Sequence, residues 1–382
     1  MASKNLMKYI SIIILATIIL TACTTPVATT APAVIEPTTA PAVIEPTTPP
    51  VVEPTAVPTI APTTAPVVEA PKELRVAALL SSTADNPWDK SFMLSFERVQ
   101  KAAPHGLVIQ NLDYSDGVWG DEAEVVLREY AASGKYDIIW GNSAYSDQIK
   151  NLKDEFPEIL WVIAGSGNEG LGGNVYYVFM HLHEVAYLMG RLAGALTESN
   201  IIGNIAGFPT DDANDVINGY AEGAKAVNPN IQVKVTFIES WYDPAKAADA
   251  AAAQIATGAD QLYMNSFGFE PCVEAKVYCY ATYEDLNYLA PSAVLTSALA
   301  YWDPHINYVI DEWWKHKTEG TPYNGTIEPV WFSMAQGTGD LAPFHDLESK
   351  IPEAVKADVM QAREDILSGK LVVPLNLNPI TP

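Results

Sequence analysis

The chain has 382 residues, and 46 acidic against 22 basic side chains give it a formal net charge of −24 at pH 7. A surface this acidic repels nucleic-acid phosphates and anionic lipid headgroups, so neither is an expected partner. The stretch from Lys72 to Pro382 is long enough for two lobes.

The N-terminus carries the features of a secretory signal. Lys4 and Lys8 precede a nearly unbroken apolar run over 9–20, which is shorter than the roughly 20 residues that a membrane-spanning helix needs. The run ends in Leu-Thr-Ala-Cys, which resembles a bacterial lipobox. We expect a signal peptide over 1–22 and a lipid anchor on Cys23, which would hold the chain in the cell envelope, outside the cytoplasm. A plain signal peptide beside a chance cysteine is the alternative.

Residues 23–71 read as a linker. Ala, Pro, Thr, Val and Glu dominate, and the nonapeptide TTAPAVIEP occurs twice in succession, at 29–37 and 38–46. Proline at this density disfavours helices and sheets and favours extended polyproline II. We interpret the segment as a spacer between the membrane and the folded part.

From Lys72 onward, short apolar runs alternate with amphipathic stretches, an order that predicts α/β architecture with parallel sheets and helices on both faces. In the first half, strands are predicted at 74–80, 107–112, 136–140, 159–164 and 175–179, and helices at 87–102, 122–132 and 148–156. In the second half, helices are predicted at 183–196, 213–227, 244–256, 302–316 and 352–367, and strands at 201–206, 231–238, 261–265, 277–281, 293–298 and 327–334. Small residues in the helix 183–196 predict close packing; they are Ala186, Gly190, Ala193 and Gly194.

Two consecutive α/β units of similar size predict two lobes joined by several crossovers. We assign 72–180 and about 302–382 to the first lobe, and 181–301 to the second. Ligands in open α/β sheets bind beyond the carboxyl ends of the strands, so two facing lobes would form a cleft that closes like a hinge.

After Cys23, only Cys272 and Cys279 remain. An even pair in an exported protein permits a disulfide, and two buried free thiols are the alternative.

Several segments resemble the basic membrane protein family of solute-binding lipoproteins, which have the type I periplasmic-binding fold. The densest similarity runs over 201–260 and includes IIGNIAGFP, NGYAEGAKAVNPNIQVKV and ESWYDPAKAADAAAAQIATGAD. It continues in LTSALAYWDP at 295–304 and in the helix 184–194. The resemblance implies import of purine nucleosides or related heterocycles through an ABC permease, without chemistry on the ligand.

The chain departs from the best-known nucleoside binders of that family at two positions. Where they carry an aspartate for the ribose hydroxyls and a lysine, this chain has Ala281-Thr282-Tyr283 and Ala298-Leu299-Ala300. Ribose recognition is therefore not expected to follow the family pattern, and a free nucleobase or another flat heterocycle fits better.

A planar heterocycle offers two faces for aromatic stacking and a polar edge for amide or hydroxyl groups. The candidates follow the predicted strands. From the first lobe they are Asp85, Trp88, Asn142 and Tyr145, from the second Phe208, Trp241, Asn265, Thr282 and Tyr283, and at the return crossover Trp302. For several of them a structural role is the alternative: helix capping for Asp85, a turn for Asn142, core packing for Trp88 and Trp241, and hinge packing for Trp302.

Other site types find little support. His181 and His183 could meet one ion, but a metal site would need a third ligand, so we interpret them as hinge residues. The glycines of 165–173 do not open a nucleotide-binding helix, and neither a Walker motif nor a G-x-S-x-G elbow occurs. We expect no cofactor and no enzymatic activity.

The sequence therefore predicts a monomeric substrate-binding lipoprotein of an ABC importer, with a purine-like ligand captured by lobe closure. A sugar or vitamin ring on the same fold, a surface hydrolase, and a ligand-sensing receptor are the alternatives.

Overall fold

The computed structural model describes residues 69–265 and 267–380. The predicted signal peptide, Cys23 and the linker up to residue 68 lie outside the described residues and stay predictions. Within the described stretch, no helix combines the length and apolarity that crossing a bilayer would require.

The described residues alternate strands and helices. The strands are β1 (Glu73–Leu74), β2 (Val76–Leu80), β3 (Val108–Ile109), β4 (Asp113–Asp116), β5 (Ile138–Gly141), β6 (Leu160–Ala164), β7 (Val175–Met180), β8 (Ile201–Ala206), β9 (Gln232–Phe237), β10 (Gln261–Met264), β11 (Tyr278–Tyr283), β12 (Val294–Ala300), β13 (Val330–Phe332) and β14 (Gly339–Leu341). The helices are α1 (Pro87–Ala102), α2 (Gly120–Ala132), α3 (Ser146–Lys150), α4 (Leu182–Leu196), α5 (Asp211–Val227), α6 (Pro244–Ala256), α7 (Glu270–Ala275), α8 (Asp303–Glu319) and α9 (Glu353–Leu367).

Two six-stranded sheets organise the fold. The first has the order β13-β7-β6-β5-β2-β4 and is parallel throughout; the second has the order β14-β12-β11-β10-β8-β9 and is parallel except for β14. We call the elements around the first sheet the first lobe and those around the second sheet the second lobe. This arrangement confirms the predicted α/β class with two mostly parallel sheets.

The apolar runs explain the central strands. All residues of β2, β5, β6 and β7 are buried, as expected for parallel strands that helices cover on both faces. Helix α1 begins at a capped position: Asn86 accepts a hydrogen bond from the Trp88 amide, and Pro87 occupies the first turn. The cap fixes the start of α1, and with it Trp88, at the end of β2.

Glycines set the distance between α4 and α5. A Cβ atom at Gly190 would lie 2.0 Å from the Tyr220 carbonyl oxygen, and one at Gly223 would lie 2.0 Å from that of Tyr187. The two backbones therefore approach to a distance that no larger residue allows, which confirms the close packing predicted for this helix.

Three elements were not predicted, and one changes the lobe assignment. They are β4, α7 and β14. The strand β4 has the polar sequence DYSD at a sheet edge, so it carries no apolar pattern. The strand β14 pairs antiparallel with β12 in the second sheet, so the prediction that 302–382 belongs to the first lobe as a whole is wrong for this strand. The C-terminal part thus contributes β13 to one sheet and β14 to the other.

A disulfide joins Cys272 in α7 to Cys279 in β11. Both residues are fully buried, and their Cα atoms are 6.4 Å apart, within the usual range for a bridge. The pair that the sequence left open between a disulfide and free thiols is therefore bonded.

Candidate ligand-binding cleft

A cavity of about 180 Å³ lies where the carboxyl ends of the two sheets face each other. Its walls come from loops and helix starts that follow seven of the strands and from the last residue of β11, as the rule for open α/β sheets leads one to expect. The lining residues from the first lobe are Ser81, Asn86, Trp88, Trp119, Ser143, Ala144, Gly165, Ser166 and Gly167. Those from the second lobe are Gly207, Thr210, Asp212, Trp241, Asn265 and Tyr283.

Trp88 is held firmly at the centre of the cleft. Its indole N–H donates to the Asn142 carbonyl oxygen at 2.8 Å. Its ring meets Trp302 edge-on at a centroid distance of 4.8 Å and Tyr283 at 5.3 Å. Because Tyr283 belongs to the second lobe, this aromatic group spans the cleft, and one part of the Trp88 ring still borders the cavity.

Two further tryptophans present open ring surface. Trp241 is 45% exposed and packs on Phe208 with ring centroids 5.0 Å apart. Trp119 is 41% exposed, stacks on buried Tyr145 at 5.0 Å and donates its indole N–H to the Ser81 carbonyl oxygen. Exposed tryptophans fixed by neighbouring rings are suited to stacking on a flat ligand.

A buried carboxylate shapes the loop after β2. Asp89 accepts hydrogen bonds from the Ser81 hydroxyl and amide, the Ser82 amide and the Asn142 side chain, at 2.8 to 3.1 Å. Burial raises the pKa of Asp89, and these hydrogen bonds partly offset that rise. The network fixes the loop that carries Asn86 and Trp88, and it uses the Asn142 side chain for support.

The lobes touch across the cavity. The Ser166 hydroxyl of the first lobe donates to Asp212 Oδ1 of the second at 2.6 Å. Beside the cavity, Lys90 on α1 forms an ion pair with Glu284, which follows β11, at 3.1 Å. With the Trp88–Tyr283 contact, these interactions describe a conformation in which the two sides of the cleft meet.

The ten residues predicted for the site separate into three groups. Trp88, Trp241, Asn265 and Tyr283 line the cavity, and Phe208 supports Trp241 from behind. A second group is buried next to the cleft without lining it: Asn142, Tyr145, Thr282 and Trp302. Asp85 is exposed outside the lining, and Asn86 rather than Asp85 caps α1.

Trp302 belongs to the return crossover. It is fully buried, its indole N–H donates to the Ser91 hydroxyl at 3.1 Å, and its amide donates to the Ser95 hydroxyl. Both serines lie on α1. Of the two readings of Trp302, ligand wall or hinge packing, the geometry favours hinge packing.

Sequence reasoning missed Trp119, Ser166, Thr210 and Asp212. Trp119 follows β4, the strand that the apolar pattern did not reveal. Thr210 and Asp212 stand at the start of α5, where Thr-Asp-Asp reads as an ordinary helix start. The proximity of Ser166 to Asp212 depends on how the lobes meet, and no local signal encodes it.

Of the histidine pair at the start of α4, His183 contacts the C-terminal segment. His183 is buried, and its Nε2 lies 3.2 Å from the Val373 carbonyl oxygen. Burial lowers the pKa of His183 to about 4. Within residues 69–265 and 267–380, no group of three or more His, Cys, Asp or Glu side chains is arranged to hold a metal ion.

Comparison with known proteins identifies ABC transporter substrate-binding proteins as similar to this chain. Residues 74–328 match the family model described as Bmp, ABC transporter substrate-binding protein PnrA-like. A purine-binding protein of Brucella abortus is 26% identical over 269 residues, which cover 69% of this chain and 70% of that protein. A putative ABC transporter glucose-binding protein of Haloferax volcanii is 33% identical over 154 residues, covering 39% of this chain and 37% of that protein.

Solved structures agree on the fold. A solute-binding protein of an ABC transporter system from Conexibacter woesei superposes with a TM-score of 0.60 at 20% identity. The superposition covers 79% of this chain and 99% of the other. At this level of identity the similarity establishes the fold, and the periplasmic-binding architecture expected from the sequence is confirmed.

Proposed function

The chain belongs to the Bmp family of PnrA-like ABC transporter substrate-binding proteins, and from this membership we propose that it captures a flat, purine-like heterocycle and delivers it to an importer. Proteins of this class work outside the cytoplasm and present their ligand to a permease. The ligand class and the residues that bind it are the subject of the proposal.

The observation that carries the proposal is the set of aromatic rings around one small cavity. Trp88 and Trp119 from the first lobe and Trp241 and Tyr283 from the second all border it. The cavity volume of about 180 Å³ is below the roughly 300–1,000 Å³ of sites for drug-sized ligands. A single fused ring system suits this space better than an extended ligand.

Capture follows from hinge closure. A ligand that contacts both lobes favours the closed state only by its differential affinity for that state. The contacts between Ser166 and Asp212 and between Lys90 and Glu284 would be lost on opening and regained on closing. The permease would then distinguish the loaded protein by its closed shape.

The N-terminal features complete the proposal. Acylation of Cys23 would anchor the chain to the membrane, and the Pro-rich linker would hold the binding lobes away from it. The Haloferax relative makes a sugar the second candidate, since aromatic rings also stack on sugars. The name of the Brucella relative, which aligns over more of the chain, favours a purine.

A thermal-shift panel tests the ligand class. The purified full-length protein is heated with adenine, guanine, adenosine, glucose or a flat vitamin such as nicotinamide, and a bound ligand raises the unfolding midpoint by mass action. A ligand at 100 times its Kd stabilises by about 2.7 kcal/mol. A shift with purines and none with glucose supports the proposal, whereas a shift with glucose alone refutes it.

A further inference from the structure

Among the described residues, the charge on the cavity wall is negative. Among the described residues that line it, Asp212 is the only ionisable carboxylate, and no Lys, Arg or His contributes to the wall. An anionic ligand would therefore enter a site that holds a negative charge and offers no cation to pair with it. Like charges placed together in a desolvated site are strongly disfavoured.

Asp212 keeps one oxygen available. Its Oδ1 accepts hydrogen bonds from the Ser166 and Thr210 hydroxyls, each at 2.6 Å. Its Oδ2 accepts no hydrogen bond from any described residue, although a carboxylate oxygen has room for about two. The two hydroxyls fix the orientation of the carboxylate and leave Oδ2 as a positioned acceptor.

The free oxygen borders the same space as the Trp88 ring. A Cβ atom built on Gly165 would lie 3.2 Å from Trp88 Cζ2 and 3.8 Å from Asp212 Oδ2. A flat molecule stacked on Trp88 would thus present its edge to the carboxylate. The absent side chain of Gly165 keeps this space open.

A second acceptor stands in the same wall. The Asn265 side-chain oxygen is buried, and within the described residues it has no hydrogen-bond partner. A buried polar atom without a partner costs free energy, so a ligand that supplies the missing donor gains affinity. Asn265 follows β10 and lines the cavity; β10 pairs with β8, the strand that precedes α5 and Asp212.

We propose that Asp212 is the residue that sets specificity: it selects uncharged or cationic heterocycles that donate an N–H to Oδ2, and it excludes ligands bearing phosphate or carboxylate. This inference rests on the proposed function and refines its ligand class. An amino-substituted or ring N–H heterocycle meets the requirement, and a nucleotide does not.

Isothermal titration calorimetry on the full-length protein tests the proposal with adenine, AMP and caffeine, a purine without any N–H. Wild-type protein should bind adenine at least tenfold more tightly than AMP or caffeine. Asp212→Asn keeps the size of the side chain but removes its charge. It should weaken adenine binding by about 10- to 100-fold, the range for a hydrogen bond to a charged group, and reduce the preference for adenine over AMP.

The neighbouring exposed Asp211 supplies the matched control. Asp211→Asn makes the same charge change one residue away, outside the cavity lining, and should bind adenine within twofold of wild type. The adenine-to-AMP ratio is read within each variant, so partial misfolding of Asp212→Asn does not affect it. An unchanged ratio in Asp212→Asn, or tight binding of AMP by wild type, would overturn the inference while leaving purine capture intact.

Failure of every purine to bind would instead refute the proposed function. The charge rule is then tested on the alternative class with glucose and glucose 6-phosphate. Preference for the neutral sugar, lost in Asp212→Asn, would support the rule, and preference for the phosphate would overturn it.

Discussion

Replacing Trp241 by alanine should weaken ligand binding while leaving the protein folded. Trp241 is 45% exposed, so Trp241→Ala removes roughly 100 Å² of buried apolar surface, or about 2.5 kcal/mol of unfolding free energy at most. Domains of this kind are stable by about 5–15 kcal/mol, so the variant should stay folded. Its affinity for the ligand should fall much further than a surface substitution would cause.

The expected loss follows from stacking. An aromatic side chain stacked on a base contributes about 1–3 kcal/mol, which corresponds to a loss of roughly 5- to 150-fold in affinity. Calorimetric titration with the best ligand of the thermal-shift panel measures the affinity, and urea unfolding measures the stability. Tyr288→Ala, at an aromatic residue that is 64% exposed and outside the cleft, is the control and should bind normally. Wild-type affinity in Trp241→Ala would exclude Trp241 from the site.

Three further changes test the fold. Gly190→Ala places a Cβ 2.0 Å from the Tyr220 carbonyl oxygen. Overpacking of this kind costs about 1–3 kcal/mol in urea unfolding, whereas Ala195→Ser, at an exposed position on the same helix, should cost less. Equal stability of Gly190→Ala and wild type would contradict the close packing of α4 and α5. Burial lowers the pKa of His305 to about 4. Between pH 6.5 and 4 the unfolded chain therefore binds more protons than the folded chain, and the free energy of unfolding decreases as the pH decreases. His305→Gln should remove up to about 3 kcal/mol of that decrease, and an unchanged pH profile of stability in His305→Gln would be inconsistent with a buried neutral imidazole. Reducing the Cys272–Cys279 bridge, which spans a sequence separation of 7, should lower the unfolding free energy by about 2.5 kcal/mol. Dithiothreitol should have no effect on the double variant Cys272→Ala, Cys279→Ala, which has no bridge to reduce. If dithiothreitol has no effect on the wild-type protein either, the two thiols are free.

The central architecture could be predicted because burial leaves a strong pattern in the sequence. Strands such as β2 and β6 are continuous apolar runs, and α1 and α6 lie within the predicted bounds because Pro87 and Pro244 mark their starts. The polar edge strand β4 and the short strand β14 left no such pattern. An edge strand has a neighbouring strand on one side only, and its side chains can be polar. Its sequence therefore shows no apolar alternation, and the strand is recognised only in the assembled sheet.

The residues of the candidate site could also be predicted only in part. An aromatic residue in the segment that follows a predicted strand is a usable signal, and it located Trp88, Trp241 and Tyr283 on the cavity wall. The same signal also selected Tyr145, which the structure buries behind Trp119. Position after a strand gives the correct edge of the sheet, but side-chain direction depends on neighbours that are distant in sequence.

By itself, the sequence determined the two α/β units, the family, the aromatic character of the site and the pair of cysteines available for bonding. These properties depend on local periodicity and on residues close together in the chain. The tertiary structure alone decided that Ser166 and Thr210 hold one oxygen of Asp212 while the other faces the cavity. The contact between Ser166 and Asp212 joins the two lobes, and the geometry between lobes depends on packing across a hinge, for which a linear sequence carries no periodic signal.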